Sequence, residues 1–168
     1  MEDVILFFQR FKPCLYARFC RIAAARQASV CLIMENVFKL GNLGAIARSC
    51  DALGIQQVGY LSTYCSTKYR HSLARTSKGA SQWVTYTPFE DTATHIDQLH
   101  REGWHVLATS SVEQGQPFDE IDFAAYPKLA LMVGSESEGL SASALHKADQ
   151  LITIPMHGFV ESFNVLFL

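Results

Sequence analysis

Leu129-Ala130-Leu131-Met132-Val133 runs straight into Gly134-Ser135-Glu136-Ser137-Glu138-Gly139, and then into Leu140-Ser141-Ala142-Ser143-Ala144-Leu145. The unbroken apolar run predicts a strand buried on both faces. The glycine-bounded segment predicts a tight turn, and Ser141 the opening of a helix. Strand, glycine turn and helix in that order place backbone N–H groups where a ligand can meet them. Gly134 and Gly139 have the spacing of a phosphate-binding loop, yet the residues that follow are Leu140 and Ser141. No Lys is there to meet a phosphate, and Glu136 and Glu138 would repel a triphosphate. The turn therefore suits a ligand that carries positive charge or presents donors. The alternative is an ordinary strand-to-helix turn whose glycines serve packing, and this stretch alone does not separate the two.

Working outward, apolar periodicity predicts alternating elements. A helix over 16–26 leads to a strand at Val30–Glu35. Asn42 is the expected N-cap of a helix that runs to Leu53 and stops at Gly54. Leu43, Ile46, Ala47, Cys50 and Leu53 form its apolar stripe. Strands are predicted near Gln57–Leu61 and Gln82–Tyr86, then a helix from about Glu90 to Arg101 closed by Gly103. Strands at His105–Ser110, Leu129–Val133 and Leu151–Ile154 complete the set. This order argues a single α/β domain over residues 1–168 built on a parallel sheet. Residues 1–27 are its helical extension and 28–168 its core.

Composition narrows the class. The chain has 168 residues, 49% hydrophobic and 18% charged, which describes a globular protein with a full core. Its five cysteines form no C-x-x-C pair, so Cys14, Cys20, Cys31, Cys50 and Cys65 read as reduced core thiols of a cytoplasmic protein. No His/Cys cluster has metal spacing, so no metal is expected. Val4-Ile5-Leu6-Phe7-Phe8 is too short for a signal peptide, and no segment reaches membrane-spanning length. The net charge of −2 hides a split: residues 1–89 carry 11 Lys/Arg against 4 Asp/Glu, and residues 90–168 carry 3 against 12. Such a division suggests a basic face for a polyanion. Arg10, Lys12, Arg18, Arg21 and Arg26 lie on or beside the predicted N-terminal helix, and Lys39 is a further candidate contact for such a polyanion. Lys68, Arg70, His71, Arg75 and Lys78 surround Tyr69, a mixture that suits phosphates and a stacked base. Solvated surface charge is the plainer reading of either cluster by itself.

Two polar groups are not required by packing. Arg48 projects away from the apolar stripe, and beside a helix start it would clamp a phosphate with its planar fork of donors. A surface Arg paired to Asp51 or another acid is the alternative. Ser162 and Asn164, in the turn after Ile154-Pro155-Met156, could bond a ligand or cap a helix.

Three segments taken together carry a resemblance. Asn42-Leu43-Gly44-Ala45-Ile46-Ala47-Arg48, the Met132–Ser141 loop, and Ile154-Pro155-Met156 with Glu161-Ser162-Phe163-Asn164-Val165 resemble the three ordered motifs of the TrmH/SpoU family. These are RNA ribose 2′-O-methyltransferases of the SPOUT superfamily. The likeness extends from about Tyr16 to Val165 and includes Cys50-Asp51-Ala52-Leu53-Gly54 and Ser77-Lys78-Gly79-Ala80. It implies an α/β fold with a C-terminal trefoil knot, a homodimer, an RNA substrate and S-adenosylmethionine as cofactor. The cofactor would lie against Ala108, Thr109, Gly134, Ser135, Glu136, Gly139, Ile154, Met156, Gly158 and Phe163. Acidic side chains beside a sulfonium then make electrostatic sense.

The resemblance makes Arg48 essential near the target ribose and phosphate. A guanidinium keeps its proton up to about pH 12, so it suits a positioner better than a general base. Asn42 would hold Arg48 or the ribose, Glu136 would brace the cofactor loop or Arg48, and Ser162 and Asn164 would line the transfer site. Members of that family continue past the final motif with a long apolar helix, whereas here Leu166, Phe167 and Leu168 follow. The expectation is a knot lacking its last helix, with exposed apolar core and weakened cofactor binding. With no separate RNA-binding domain ahead of the core, a guanosine in tRNA is the expected target. An rRNA ribose and a non-catalytic RNA-binding remnant are the alternatives.

Overall fold

The computed structural model describes residues 10, 12–37, 39–61, 76–110, 115–135 and 137–159. Helix α1 (Pro13–Ala24) begins at a proline, whose fixed φ and missing donor suit a first turn. Strand β1 (Gln27–Met34) follows, then α2 (Leu40–Leu53), β2 (Ile55–Leu61), a 3-10 turn at Ala80–Gln82, and β3 (Thr85–Phe89). Helix α3 (Thr92–Arg101), β4 (His105–Thr109), β5 (Gln116–Pro117), β6 (Leu129–Val133), α4 (Ala142–Lys147) and β7 (Gln150–Thr153) complete the described elements.

All the strand pairings are parallel, in the order β3-β2-β1-β6-β4-β7-β5. The chain steps outward through β1, β2 and β3, then crosses to β4 on the other side of β1. That leaves a place one strand wide, which β6 fills. The direction of winding thus reverses beside β1 and β6, and such a reversal opens a crevice at the carboxyl ends of the strands. Helix α2 lies on one face over Leu32, Met34, Val58 and Val133. Helices α3 and α4 cover the other face, where Ile96, Leu99, Leu140 and Ala144 meet Ile33, Val106, Ala108 and Met132. Leu107 and Ile152 pack with Ile121 under the 3-10 turns at Phe118–Glu120 and Phe123–Ala125.

The expected α/β parallel sheet is present, and Leu129–Val133 is the strand that its apolar run predicts. Ser141 caps α4, its side chain accepting from the Ala144 N–H. Gly54 ends α2 in the left-handed conformation at φ +79°. Three element boundaries need correction. Asn42 is not a cap: α2 starts at Leu40 with Lys39 at the cap position, and Asn42 is buried inside the first turn. The strand expected at Gln82–Tyr86 lies three residues later, because Gly79 at φ +88° leads first into the 3-10 turn. Helix α3 begins after Asp91, whose carboxylate accepts from the Thr94 N–H at 2.7 Å. Cys31 and Cys50 are buried thiols as expected, but Cys14 and Cys20 are exposed on α1, a helix with no buried residue. Cys65 lies outside the described residues, as does the segment 160–168 on which the knot and its missing helix are expected.

Candidate functional site

Strand order brings the expected ligand loops together. Strand β4 lies between β6 and β7, with Ala108 opposite both Met132 and Leu151, and Thr109 opposite Ile152. The loops leaving these three strands therefore share one edge of the sheet. Ala108 is fully buried, Thr109, Gly134, Ser135, Ile154 and Met156 are half-buried, and Gly139 and Gly158 are exposed. Ser110 N–H donates to the Ile152 carbonyl at 2.8 Å, tying the β4 loop to β7.

The Gly134–Gly139 loop closes on itself. Ser135 N–H donates to the Gly139 carbonyl at 3.2 Å, and Gly139 N–H to the Ser135 carbonyl at 2.9 Å. Glu138 N–H reaches the Ser135 hydroxyl at 3.1 Å. A Cβ on Gly134 would stand 2.1 Å from the Gly139 carbonyl carbon, so only glycine permits this closure. Gly139 itself holds φ +67°.

One buried carboxylate anchors the loop from behind. Glu35, immediately after β1, is 2% exposed. Its carboxylate accepts from the Ser141 N–H at 2.7 Å, the Ser141 hydroxyl at 2.9 Å and the Thr92 hydroxyl. Its own N–H donates to the Val133 carbonyl at 3.0 Å. Glu35 thus joins β1, the end of the glycine loop and the start of α3. Glu35 is not among the candidate residues above, although an acid closing the apolar run Val30–Met34 is a detectable signal. A buried carboxylate needs such a set of donors to offset its lost hydration.

Arg48 is placed elsewhere. Helix α2 returns from the carboxyl edge of the sheet to its amino edge, and Arg48 lies eight residues past Leu40, about 12 Å along the axis. It is therefore mid-helix, which corrects the expectation of a clamp beside the helix start. Asn42 and Arg48 point about 120° apart around the helix, the one buried and the other exposed, so they do not meet. Arg48 lines an open cleft of about 820 Å³ with Ser77, Lys78, Gln82 and Trp83, and none of the expected cofactor residues that are described lines it. Asp51 also borders the cleft, but it pairs with Arg26 at 2.7 Å. Arg26, expected among the RNA cations, is thereby engaged within the fold, and the Arg48–Asp51 alternative falls away. Arg18, Arg21, Lys39 and Lys78 are exposed. Glu136, Ser162, Phe163 and Asn164, together with Lys68, Arg70 and Arg75, lie outside the described residues.

The two buried thiols do not compete for the site. Burial pushes the Cys31 thiol up to about 12 and that of Cys50 up to about 11, so both are protonated at neutral pH. Among the described residues no group of His, Cys, Asp and Glu could hold a metal ion, and no helix is long and apolar enough to cross a membrane.

A parallel α/β sheet with a strand-reversal crevice, a self-closed glycine loop at its edge and a separate cleft lined by Arg48 and Lys78 defines a parallel α/β protein with two candidate binding regions. The sequence profile of the SpoU rRNA methylase family matches residues 29–167. The chain belongs to that family, and the TrmH/SpoU resemblance read from its motifs is thereby established. It is 33% identical over 153 residues to a tRNA (guanosine(18)-2′-O)-methyltransferase of Escherichia coli strain K12. That match takes in 91% of this chain and 65% of the relative, so the chain spans less than two thirds of the relative's length. The crystal structure of a TrmH/SpoU tRNA modifying enzyme from A. aeolicus superposes with a TM-score of 0.77 at 26% identity, covering 92% of this chain and 78% of that one. An AdoMet-bound rRNA methyltransferase from Sinorhizobium meliloti shares the fold, with a TM-score of 0.75 at 22% identity over 85% of this chain and 53% of that one.

Proposed function

We propose that this chain serves S-adenosylmethionine-dependent 2′-O-methylation of a ribose in RNA, with a guanosine of tRNA as target. The observation that carries the reading is the convergence of the β6, β4 and β7 loops at one sheet edge, with no Lys or Arg among their described residues. Half-buried Ile154, Pro155 and Met156 offer apolar contact, and the closed Gly134–Gly139 loop offers backbone groups. That set suits an adenosine joined to a cationic sulfonium and opposes a polyphosphate. Bound there, S-adenosylmethionine supplies an electrophilic methyl group. The AdoMet-bound state of the S. meliloti protein and the name of the E. coli relative support the same reading.

The chain's own residues bind and orient. Ala108, Thr109, Gly134, Ser135, Gly139, Ile154, Met156 and Gly158 form the cofactor edge, and Glu35 holds the Gly134–Ser141 turn in place. Arg48, in its separate cleft, clamps a substrate phosphate and so helps fix how the RNA lies for attack by the 2′-hydroxyl. Glu136 as brace of the loop, and Phe163, Ser162 and Asn164 beside the reacting groups, are part of the proposal. The working form is a homodimer in the cytoplasm, a compartment that suits free thiols such as Cys31 and Cys50.

The test is transfer of a labelled methyl group from S-adenosylmethionine to tRNA transcripts, followed by mapping of the modified ribose. Arg48→Ala is expected to lower kcat/KM by about 100-fold or more, with S-adenosylhomocysteine binding retained. Unchanged transfer by that variant would remove Arg48 from the mechanism. A second reading, an rRNA ribose as target, draws on the family's description as rRNA methylases. Methylation of rRNA fragments but not of tRNA would select it.

A further inference from the structure

Trp83 is a large apolar side chain left 50% exposed on the cleft that holds Arg48 and Lys78. Phe19 on α1, itself 41% exposed, stands behind it with ring centroids 6.0 Å apart and planes tilted by 53°. The turn that carries Trp83 is tightly held. A Cβ on Gly44 would lie 2.2 Å from the Thr76 hydroxyl oxygen, so glycine lets the turn seat directly on α2. The buried Ser77 hydroxyl donates to Ser81 at 2.9 Å, and Lys78 adopts φ +50°, a strained conformation that persists only where the surroundings enforce it.

Charge in the cleft is unbalanced. Asp51 is neutralised by Arg26, while Arg48 and Lys78 have no ion-pair partner among the described residues. An aromatic face beside two unpaired cations is the combination that binds a nucleobase with its backbone phosphates. Stacking needs a base with a free face, which single-stranded RNA offers and a duplex withholds.

Resting on the RNA reading above, we propose that this cleft seats one unpaired nucleobase of the substrate, stacked on Trp83, with the adjoining phosphates on Arg48 and Lys78. Phe19 braces the indole and keeps its plane presented. Trp83 is then a positioning residue. It sets how the RNA lies on α2, and it favours an unstacked loop without reading base identity.

The experiment is titration of the full chain with an unstructured oligoribonucleotide and with a tRNA transcript, read by tryptophan fluorescence and by methyl transfer. Trp83 is the exposed member of the two tryptophans, Trp104 being 7% exposed, so stacking should quench Trp83 emission. Trp83→Phe should abolish that quenching while keeping near-normal affinity. Trp83→Ala should weaken RNA binding by about tenfold or more and raise KM for RNA, with S-adenosylhomocysteine binding unchanged. RNA binding and methylation without quenching, and unaffected by Trp83→Ala, would overturn the stack and leave the methyltransferase reading intact. Failure of the unmodified chain to bind any RNA would overturn both. A change of oligomeric state in Trp83→Phe would also overturn the stack, by assigning the indole to a contact between chains.

Discussion

The carboxyl edge of β6, β4 and β7 is built from backbone groups and one buried carboxylate, whereas the α2 cleft is lined by exposed Arg48, Lys78 and Trp83. The first region is costly to build and, among its described residues, holds no Lys or Arg. The second adds little to the core and presents two cations beside an aromatic face. Substitutions should therefore fail differently. At the sheet edge they should damage folding and ligand binding together, and at the cleft they should damage RNA handling alone.

The largest effect expected at the sheet edge belongs to Glu35. In Glu35→Gln the amide would set one NH2 group against the Ser141 donors and leave part of the set unmatched. Breaking a buried, hydrogen-bonded carboxylate of this kind costs about 2–4 kcal/mol. Urea unfolding should record that loss, and S-adenosylhomocysteine affinity should fall with it because Ser141 anchors the end of the glycine loop. If stability fell while ligand affinity held, Glu35 would be a prop for α3 through Thr92 and the loop would be independent of it.

The two loop glycines sharpen the contrast within one turn. Gly134→Ala drives a Cβ to 2.1 Å from the Gly139 backbone, so the loop must open, and overpacking of this kind costs about 1–3 kcal/mol. Gly139→Ala meets nothing within 4 Å and bears only the strain of φ +67°, about 1–2 kcal/mol. Ligand binding measured by calorimetry should thus be lost in the first variant and only weakened in the second. Equal effects would mean that loop shape does not matter and that the glycines serve packing alone.

Legibility follows the same division. The β6 run, the Ser141 cap and the Gly54 stop are local signals, and each appears where the residues place it. The start of α2 is different. Lys39 makes no side-chain cap bond, so no residue type marks that end, and Asn42 with its capping chemistry is drawn into the buried first turn instead. Strand β5 has two residues, too few for any periodicity. Glu35 meets Ser141 across 106 residues, and Trp83 joins Arg48 only because Gly44 admits the 76–83 turn. Such partners are a product of topology. A family resemblance carries Arg48 and the three loops forward, but it leaves these supports to be found in the fold.

The smallest effect concerns acid. His95 on α3 stacks on Phe89 with centroids 4.4 Å apart and planes within 4°, and its Nε2 is buried with no hydrogen-bond partner among the described residues. Burial lowers its pKa below the ordinary 6.5, with Glu102 opposing the shift. The unfolded chain then binds this proton more readily than the folded one. Stability from His95 is full above about pH 6.5 and declines as the pH falls through the depressed folded value. His95→Phe removes the ionisable group while keeping the stack, so its unfolding midpoint should vary less than the parent's between pH 7 and 5. Because α3 starts at Thr92, which donates to Glu35, acid should loosen the sheet edge before it touches the α2 cleft. S-adenosylhomocysteine affinity falling before RNA affinity over that interval would support the division between the two regions, and a parallel fall would break it.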